Sequence, residues 1–297
     1  MIPHYKNEEA LLSALSHNLP FLTGCEIIVV NDNPTIALHN TIKKIFPTIT
    51  VIDNKKNVGF AGAVSGGITA TKNQFVLLLN DDVLLEDNTW KKALEFFNKD
   101  TSLFAVSFKQ KEKSNVFVGK NKIYWKSGFF YHSKVSPDDD GINGWAEGGS
   151  MLFDKKKYNE IHGFDTLYSP FYWEDVDLSY RAWKAGYSII FDSSHGVEHH
   201  HESTISTYFK TSHIQTISYR NQLITIWKNI SDGKMIFEHF IFLIVHLARS
   251  LITGNRAFIE GFQMAFNLRK EILKKRNEQK ILWKKSDNEI FTLFKNL

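Results

Sequence analysis

The chain has 297 residues, of which 43% are hydrophobic and 23% charged, so it can bury a full core and suits one large α/β domain or one domain with an appendage. Its single cysteine, Cys25, excludes an internal disulfide framework and a cysteine-based metal site, and is typical of a reducing cytoplasm. The net charge of +4 is concentrated in residues 267–285, which hold eight Lys or Arg against two Glu, so we expect no nucleic-acid-binding body and an anionic partner near the C-terminus.

The first 110 residues alternate short apolar stretches with helical ones. This alternation predicts a parallel, doubly wound sheet, and we expect no signal peptide because the N-terminus lacks an apolar stretch. The predicted strands cover 26–32, 49–54 and 74–80, and the predicted helices cover 35–46, 62–71 and 88–98.

Polar side chains follow two of these strands where each strand ends. Asn31 and Asp32 close one strand, and Asn80, Asp81 and Asp82 close another. Ligands of open α/β sheets bind at the carboxyl ends of strands, and carboxylates there suit Mg²⁺ or Mn²⁺ holding a diphosphate. A helix N-cap or a solvated turn is the alternative interpretation of these acids.

A glycine-rich stretch, "NVGFAGAVSGG", covers residues 57–67. Such a loop lets the backbone approach a nucleotide closely, and a helix N-terminus favours phosphate. Small residues at a contact between helix and sheet would give the same pattern, so both interpretations stay open. Residues 104–145 are predicted to be less regular, with polar turns near 136–144.

The segment "FYWEDVDLSYRAWKAGY", residues 171–187, predicts a helix. It opens with Glu174, Asp175 and Asp177 and closes at Gly186, a residue typical of helix ends. Because acids in a first turn interact with the helix dipole, we expect Asp175 to stay ionised and able to accept a proton from an alcohol.

The neighbours of these acids favour two different roles. Asp177 and Arg181 are spaced i,i+4, which predicts an ordinary surface ion pair and explains Asp177 without any chemistry. The aromatic run 171–173 directly before the acids is typical of a wall that binds sugar. The segment therefore predicts a binding site in its first part and a helix-stabilising pair in its second.

Three adjacent histidines occur in "VEHHHES", residues 197–203. In an extended chain alternate residues point the same way, so His199 and His201 face the side opposite to His200. A histidine that reaches a metal is the functional interpretation, and a solvated loop is the alternative.

After residue 205 the chain is predicted to be helical. Apolar residues recur at helical spacing over 235–252, although polar groups interrupt this stretch too often for a bilayer span. An amphipathic helix followed by a basic segment predicts contact with anionic lipid. Packing on the catalytic domain or on a second subunit, as in a homo-oligomer, is the alternative.

Taken in order, these pieces resemble the family 2 glycosyltransferases of bacteria, and within them the rhamnosyltransferase-like members that build surface polysaccharides. The resemblance covers about residues 2–225 and implies a GT-A fold: a Rossmann-like, doubly wound, mainly parallel sheet flanked by helices. It implies a catalytic domain over 1–225, with halves 1–110 and 111–225, and a helical C-terminal appendage over 226–297. The stretches that carry it are "IPHYKNEE", "IIVVNDNPT", "NVGFAGAVSGG", "LLLNDDV", "EGGSMLFDKKKYNEIHGFD", "FYWEDVDLSYRAWKAGY", "VEHHH" and "YRNQL".

Carried over residue by residue, the resemblance implies three sets of functional residues. Asp175 would be the catalytic base, with Glu174 beside it contacting acceptor or donor. Asp82 and His199 would bind the metal, with His200 as the alternative to His199. Contacts to the nucleotide and donor sugar would come from Pro3, His4, Tyr5, Asn31, Asp32, Asn57, Gly59, Asn80, Asp81, Glu147 and Gly148.

Two positions depart from the family's pattern. Asn80 replaces the first acid of the D-x-D metal motif, which leaves fewer charges on the metal. Only Met1 and Ile2 precede the "PHYKN" position, where the family normally has a longer apolar strand.

The resemblance implies an inverting transferase that uses Mn²⁺ or Mg²⁺. The sugar would pass from a nucleoside-diphosphate sugar to a hydroxyl of a saccharide or lipid-linked saccharide, in the cytoplasm or on the cytoplasmic face of the inner membrane. A sugar-nucleotide-binding or carbohydrate-binding protein that lost turnover is the alternative. A nicotinamide-dependent oxidoreductase is disfavoured because the glycine loop lacks G-x-G-x-x-G and follows the second predicted strand.

Overall fold

The computed structural model of the chain describes residues 1–112, 115–199 and 209–297. Its strands are β1 (Ile2–His4), β2 (Ile28–Asn31), β3 (Thr50–Asp53), β4 (Phe75–Leu79), β5 (Val83–Leu85), β6 (Leu103–Lys111), β7 (Phe117–Val118), β8 (Asn121–Lys126), β9 (Phe129–Lys134), β10 (Gly141–Ile142), β11 (Ser150–Asp154) and β12 (Ser188–His199). Its α-helices are α1 (Glu8–Asn18), α2 (Leu38–Ile45), α3 (Gly59–Ala70), α4 (Leu94–Lys99), α5 (Lys155–Glu160), α6 (Glu174–Lys184), α7 (Thr211–Asn229), α8 (Gly233–Thr253), α9 (Arg256–Asn267), α10 (Arg269–Lys280) and α11 (Asp287–Leu293). Short 3₁₀ helices cover Leu19–Leu22, Thr89–Ala93 and Thr166–Tyr168.

The strands form a sheet flanked by helices. The strands β1, β2 and β3 pair in parallel, in the order β1-β2-β3. Two hydrogen bonds join β1 to β4: the amino group of Met1 donates to the Leu77 carbonyl (2.9 Å), and the Leu79 amide donates to the Met1 carbonyl (3.1 Å). From β4 the sheet continues through β11 and β6 to β12. The predicted fold class, a parallel-rich α/β sheet with flanking helices, is confirmed.

The second half of the sheet is more mixed and more regular than predicted. The strand β11 runs antiparallel to both β4 and β6, whereas β12 runs parallel to β6. The prediction of an irregular region over 104–145 is wrong, because it contains the nine-residue β6 and the hairpin of β8 and β9. Besides the short β7, β6 pairs with β11 and β12, which lie much further along the chain, so most of its pairing depends on contacts that no local pattern reveals.

The helix α3 begins earlier than the glycine pattern predicted. The carboxylate of Asp32, which directly follows β2, binds the amides at the start of the helix: Asp32 accepts hydrogen bonds from the amides of Val58 (2.9 Å) and Gly59 (2.9 Å). An acid at a helix N-terminus satisfies free amides and complements the helix dipole. The helix therefore starts at Gly59.

A buried ionic cluster joins α6 to the C-terminal helices. Asp177 and Arg181 form an ion pair of 2.8 Å with side chains only 0% and 1% exposed, so the prediction of a surface pair is wrong. Lys228 of α7 reaches both Asp177 (2.8 Å) and Asp165 (2.7 Å). The pair is buried because α7 covers α6. The helix α6 ends as predicted, before Gly186, which has a left-handed φ of 87°.

The C-terminal helices continue directly from the body. The helix α7 runs through residue 225, where the sequence analysis divides the catalytic domain from the appendage. That division stays a prediction. Among the described residues one helix, α8, is long and apolar enough to cross a membrane.

Candidate active site

The three polar residues that follow β4 form the turn that leads into β5. The strand β5 pairs antiparallel with the last residues of β12, and Val83 lies opposite His199. This register brings the residue before Val83 next to the histidine: Asp82 Oδ1 lies 3.2 Å from His199 Nε2. The predicted pair of metal ligands, 117 residues apart, is therefore brought together by strand pairing.

The surroundings of His199 suit a metal ligand. The side-chain amide nitrogen of Gln110 donates to the Glu147 carboxylate (2.6 Å), so the Gln110 oxygen faces His199 Nδ1 at 3.0 Å and accepts a hydrogen bond from it. The lone pair of Nε2 then points at the Asp82 carboxylate. Two acceptors face each other there unless a cation or a proton lies between them. Metal-bound histidines commonly donate their other nitrogen to such an acceptor.

A divalent cation would have few protein ligands at this position. Among the described residues, no group of three or more His, Cys, Asp or Glu could hold a metal ion. The Asp82–His199 pair offers one carboxylate and one imidazole, and Mg²⁺-type sites often complete their shell with substrate oxygens and water. The residues present thus fit a cation that is shared with a diphosphate. His200, the alternative ligand, lies outside the described residues.

Glu174 and Asp175, at the start of α6, line the same cleft as His199. The Asp175 carboxylate accepts from the amides of Val176 (2.8 Å) and Gly148 (3.3 Å). One residue further, the Gly149 carbonyl accepts from the Asn80 amide at 2.9 Å. A Cβ on Gly149 would lie 3.1 Å from the His199 ring, so glycine permits this close approach. The segment 147–149 therefore connects Asp175 to the predicted metal ligands Asp82 and His199.

Burial, rather than the helix dipole, has the largest effect on the pKa values of Glu174 and Asp175. Burial raises the pKa of Asp175 to about 6, and the amides of Gly148 and Val176 offset this only in part. Burial and the neighbouring Asp175 charge raise the pKa of Glu174 to about 8. The expectation that the dipole governs Asp175 is thus corrected. At neutral pH Asp175 is ionised and Glu174 is protonated.

The turn before α6 fixes where these acids point. Tyr172 and Trp173 both adopt left-handed backbone conformations, with φ of 69° and 73°. The side-chain amide of Asn221 on α7 holds this turn, donating to the carbonyls of Phe171 (3.0 Å) and Tyr172 (2.8 Å). Phe171 and Tyr172 line the cleft, as the predicted aromatic wall requires. Trp173 does not, because its ring packs 4.9 Å from that of His132 and faces a second cavity.

The cleft has a volume of about 470 Å³ and contains most of the predicted residues. The predicted residues that line it are Pro3, His4, Tyr5, Asp32, Asn57, Gly59, Asn80, Asp81, Glu147, Gly148, Glu174, Asp175 and His199. Two others do not line it. Asp82 contacts it through His199, and Asn31 is buried behind it.

Several of these residues also stabilise the walls of the cleft. Asn31 donates to the Asp53 carboxylate (2.8 Å) and to the Ile36 carbonyl (3.0 Å), so it stabilises the turn after β2. Asp32 lines the cleft while capping α3. His4 Nδ1 lies 2.5 Å from Asp81, and His4 Nε2 is buried with no protein partner among the described residues. That nitrogen is therefore available to a ligand.

The sequence analysis missed other residues of the cleft. Lys6, Phe60, Trp145 and Phe209 line it, and Gln110 orients the histidine. Lys6 directly follows Pro3, His4 and Tyr5, so its place in the sequence could have identified it as a residue of the cleft. Gln110 and Trp145 lie in the region expected to be irregular, where no strand register was predicted.

A family model described as "Glycosyl transferase family 2" matches residues 1–161. The match includes the turn at 80–82 and Glu147 but ends before α6, so the position of Asp175 rests on the geometry above. No curated protein matches the sequence.

Three solved structures with the same fold are similar to the chain. The mannosyltransferase PcManGT from Pyrobaculum calidifontis, in complex with GDP-Man and Mn²⁺, is 14% identical with a TM-score of 0.54, covering 95% of this chain and 83% of that one. Staphylococcus aureus TarS 1–349 in complex with UDP is 14% identical with a TM-score of 0.53, covering 100% and 90%. GalNAc-T7 with UDP, GalNAc and Mn²⁺ is 13% identical with a TM-score of 0.59, covering 76% of this chain but only 47% of that one, about half its length. At such identities these likenesses establish the GT-A fold alone.

Proposed function

Because this chain belongs to glycosyl transferase family 2, we propose that it is an inverting glycosyltransferase. It moves a sugar from a nucleoside-diphosphate sugar to a hydroxyl of a saccharide or lipid-linked saccharide acceptor. The observation that carries this proposal is that Asp175 and His199 line one cleft of about 470 Å³ and are joined by residues 147–149, while Asp82 lies 3.2 Å from His199 Nε2.

In this proposal Asp175 is the general base. Its carboxylate is ionised at neutral pH, and its pKa of about 6 lies near the range in which a base works best. It removes the proton from the acceptor hydroxyl as the oxygen attacks the anomeric carbon from the face opposite the diphosphate. A single displacement inverts the anomeric configuration. The neutral Glu174 beside it donates a hydrogen bond to acceptor or donor.

The other residues of the cleft bind and orient the donor. Asp82 and His199 would hold Mn²⁺ or Mg²⁺, which when bound supplies Lewis-acid stabilisation of the diphosphate leaving group. The buried Nε2 of His4 accepts a hydrogen bond from the nucleotide. Lys6 contributes positive charge near the donor, and Phe171 and Tyr172 pack against the sugars.

We further propose that the reaction belongs to the synthesis of bacterial surface polysaccharide. Such a reaction would take place in the cytoplasm, and the lone, exposed Cys25 suits a reducing compartment. The sugar and the nucleotide stay open. Solved structures of similar fold were obtained with UDP and with GDP-Man, so UDP-sugars and GDP-sugars are the first donors to test.

The pH dependence follows from the raised pKa of Asp175. The base works only when ionised, so kcat/KM should rise with pH through about 6 and level off above it. A profile measured with a saturating divalent cation in overlapping buffers checks this. A profile still flat down to roughly pH 4, the ordinary range of an Asp carboxyl, would contradict the assignment.

A donor panel tests the function itself. We expect one UDP-sugar or GDP-sugar to raise the melting temperature only with Mn²⁺ or Mg²⁺, and to be hydrolysed slowly to free nucleoside diphosphate. No thermal shift and no hydrolysis with any donor would overturn the proposal. Metal-dependent binding without turnover would favour the binding-protein alternative, and metal-independent binding of NADH would favour an oxidoreductase.

A further inference from the structure

The amphipathic helix α8 lies on the body with its polar side inward. The Glu238 carboxylate accepts from the Trp125 indole (2.8 Å) and from the Gly128 amide (3.2 Å). His239, 2% exposed, donates Nδ1 to the Gly128 carbonyl (2.7 Å) and accepts from the Trp227 indole at Nε2 (2.9 Å). Buried polar groups with complete partners hold a helix in one orientation.

The opposite side of α8 is apolar and exposed. We define the α8 apolar face by Phe237, Phe240, Ile244, Val245, Leu251 and Ile252, each 53–86% exposed. These residues recur at spacings of three, four, seven and eight, so they form one continuous stripe. Six large apolar residues at this exposure present on the order of several hundred Å², the size at which apolar patches on soluble proteins mark an interaction site.

The inward bonds decide how α8 could meet a membrane. The helix is long and apolar enough to cross one. Crossing would bring Glu238 and His239 into hydrocarbon and break their bonds to Trp125, Trp227 and the hairpin, and charged groups within a bilayer are costly. Lying flat keeps every one of those bonds and buries only the α8 apolar face.

The charges around the α8 apolar face favour an anionic surface. Glu238 is the one acid of α8, and it faces inward. Lys234 near the start and Arg249 near the end of the helix are both exposed. A second copy packed antiparallel on this face would bring Lys234 against Arg249 of the partner, where like charges repel. Anionic lipid complements the same cations.

A cavity connects this helix with the catalytic turn. It has a volume of about 540 Å³ and is lined by His246, Arg249 and Ser250 of α8, together with Trp173. Trp173 directly precedes Glu174 and Asp175. The cavity therefore lies between α8 and the turn that leads into α6.

We propose that the α8 apolar face docks the protein on an anionic bilayer. This docking does not rest on the proposed function. The helix lies in the plane of the headgroups, with its apolar side chains among the acyl chains and its flanking cations at anionic headgroups.

The test is flotation of the full chain with phosphatidylcholine vesicles prepared with and without phosphatidylglycerol. We expect the wild type to float with the phosphatidylglycerol vesicles. The double variant Phe240→Glu/Ile244→Glu should lose at least about tenfold in partitioning, since each introduced charge must stay in water. Ile45→Glu is the matched control, because Ile45 is 51% exposed on α2, and it should float like the wild type.

Three outcomes would overturn the docking proposal. The wild type could fail to float with phosphatidylglycerol vesicles, it could bind equally well without phosphatidylglycerol, or the double variant could float as well as the wild type. Sedimentation without vesicles adds one more: a wild-type dimer that the double variant converts to monomer would assign the face to a second copy. Donor binding by thermal shift, measured on the same variants, separates a docking failure from a failure of the proposed function.

Discussion

Asp175→Asn is expected to reduce turnover by ~10²–10⁴ while leaving metal-dependent donor binding intact, because general-base catalysis contributes about that much. The asparagine side chain keeps the shape of the carboxylate and its one oxygen can still accept from either the Gly148 or the Val176 amide, but it cannot take a proton from an acceptor hydroxyl. Single-turnover release of nucleoside diphosphate, together with a donor titration, measures the two quantities separately.

The control for this variant is Asp138→Asn, the same change on an exposed loop. It should leave both quantities at wild-type values. An Asp175→Asn enzyme within a few-fold of wild-type turnover would remove Asp175 from the role of base. Lost donor binding would instead place the residue in the donor site.

The second large effect is on stability. Asp177→Asn should lower the free energy of unfolding by about 3–5 kcal/mol, because it leaves buried cations without their counter-charge. Arg181 and Lys228 both lie 2.8 Å from this carboxylate, and Tyr168 and Asn229 also donate to it. Urea unfolding at neutral pH measures the loss. Glu112→Gln, which removes an exposed pair with Lys134, should cost less than about 1 kcal/mol.

The pH dependence of this contribution has a definite sign. Burial alone would raise the pKa of Asp177, but Arg181 and Lys228 outweigh it and lower the pKa below its ordinary value. A lowered pKa stabilises the fold at every pH above the ordinary value of about 3.9, and the contribution is lost as the pH falls through the lowered pKa. If Asp177→Asn were as stable as the wild type at pH 7, the cluster would not hold α6 in place.

The two acids, two residues apart on α6, have different tasks. Asp175 lies at the cleft, where burial without a cation raises its pKa. Asp177 lies beneath α7, where two cations lower its pKa. Their environments, not their chemistry, separate the reactive carboxylate from the structural one.

Local pattern was sufficient for much of the fold and for part of the site. Strand-end acids and the helix that opens with Glu174 were predicted from residue type and spacing, whereas the pairing of Asp82 with His199 was implied by the family resemblance. Asn31 shows the limit, because a polar residue at a strand end could not be assigned to ligand or to turn until its contact with Asp53 was known.

The remaining differences come from contacts distant in sequence. The early start of α3 depends on Asp32, and the strand β6 depends on partners that follow it by dozens of residues. The periodicity of α8 identified which residues share a side but not which side is buried. The polar side is buried because the indoles of Trp125 and Trp227, which lie outside α8, donate hydrogen bonds to Glu238 and His239. The sequence of the helix alone does not show these donors.

The most direct test of the account is the position of Mn²⁺ in crystals grown with a nucleoside diphosphate, located by anomalous scattering. We expect a peak at the cleft within coordination distance of both the Asp82 carboxylate and His199 Nε2, with Asp175 lining the same cleft and not bound to the metal. A peak bound elsewhere, or no peak at Asp82 and His199, would contradict it.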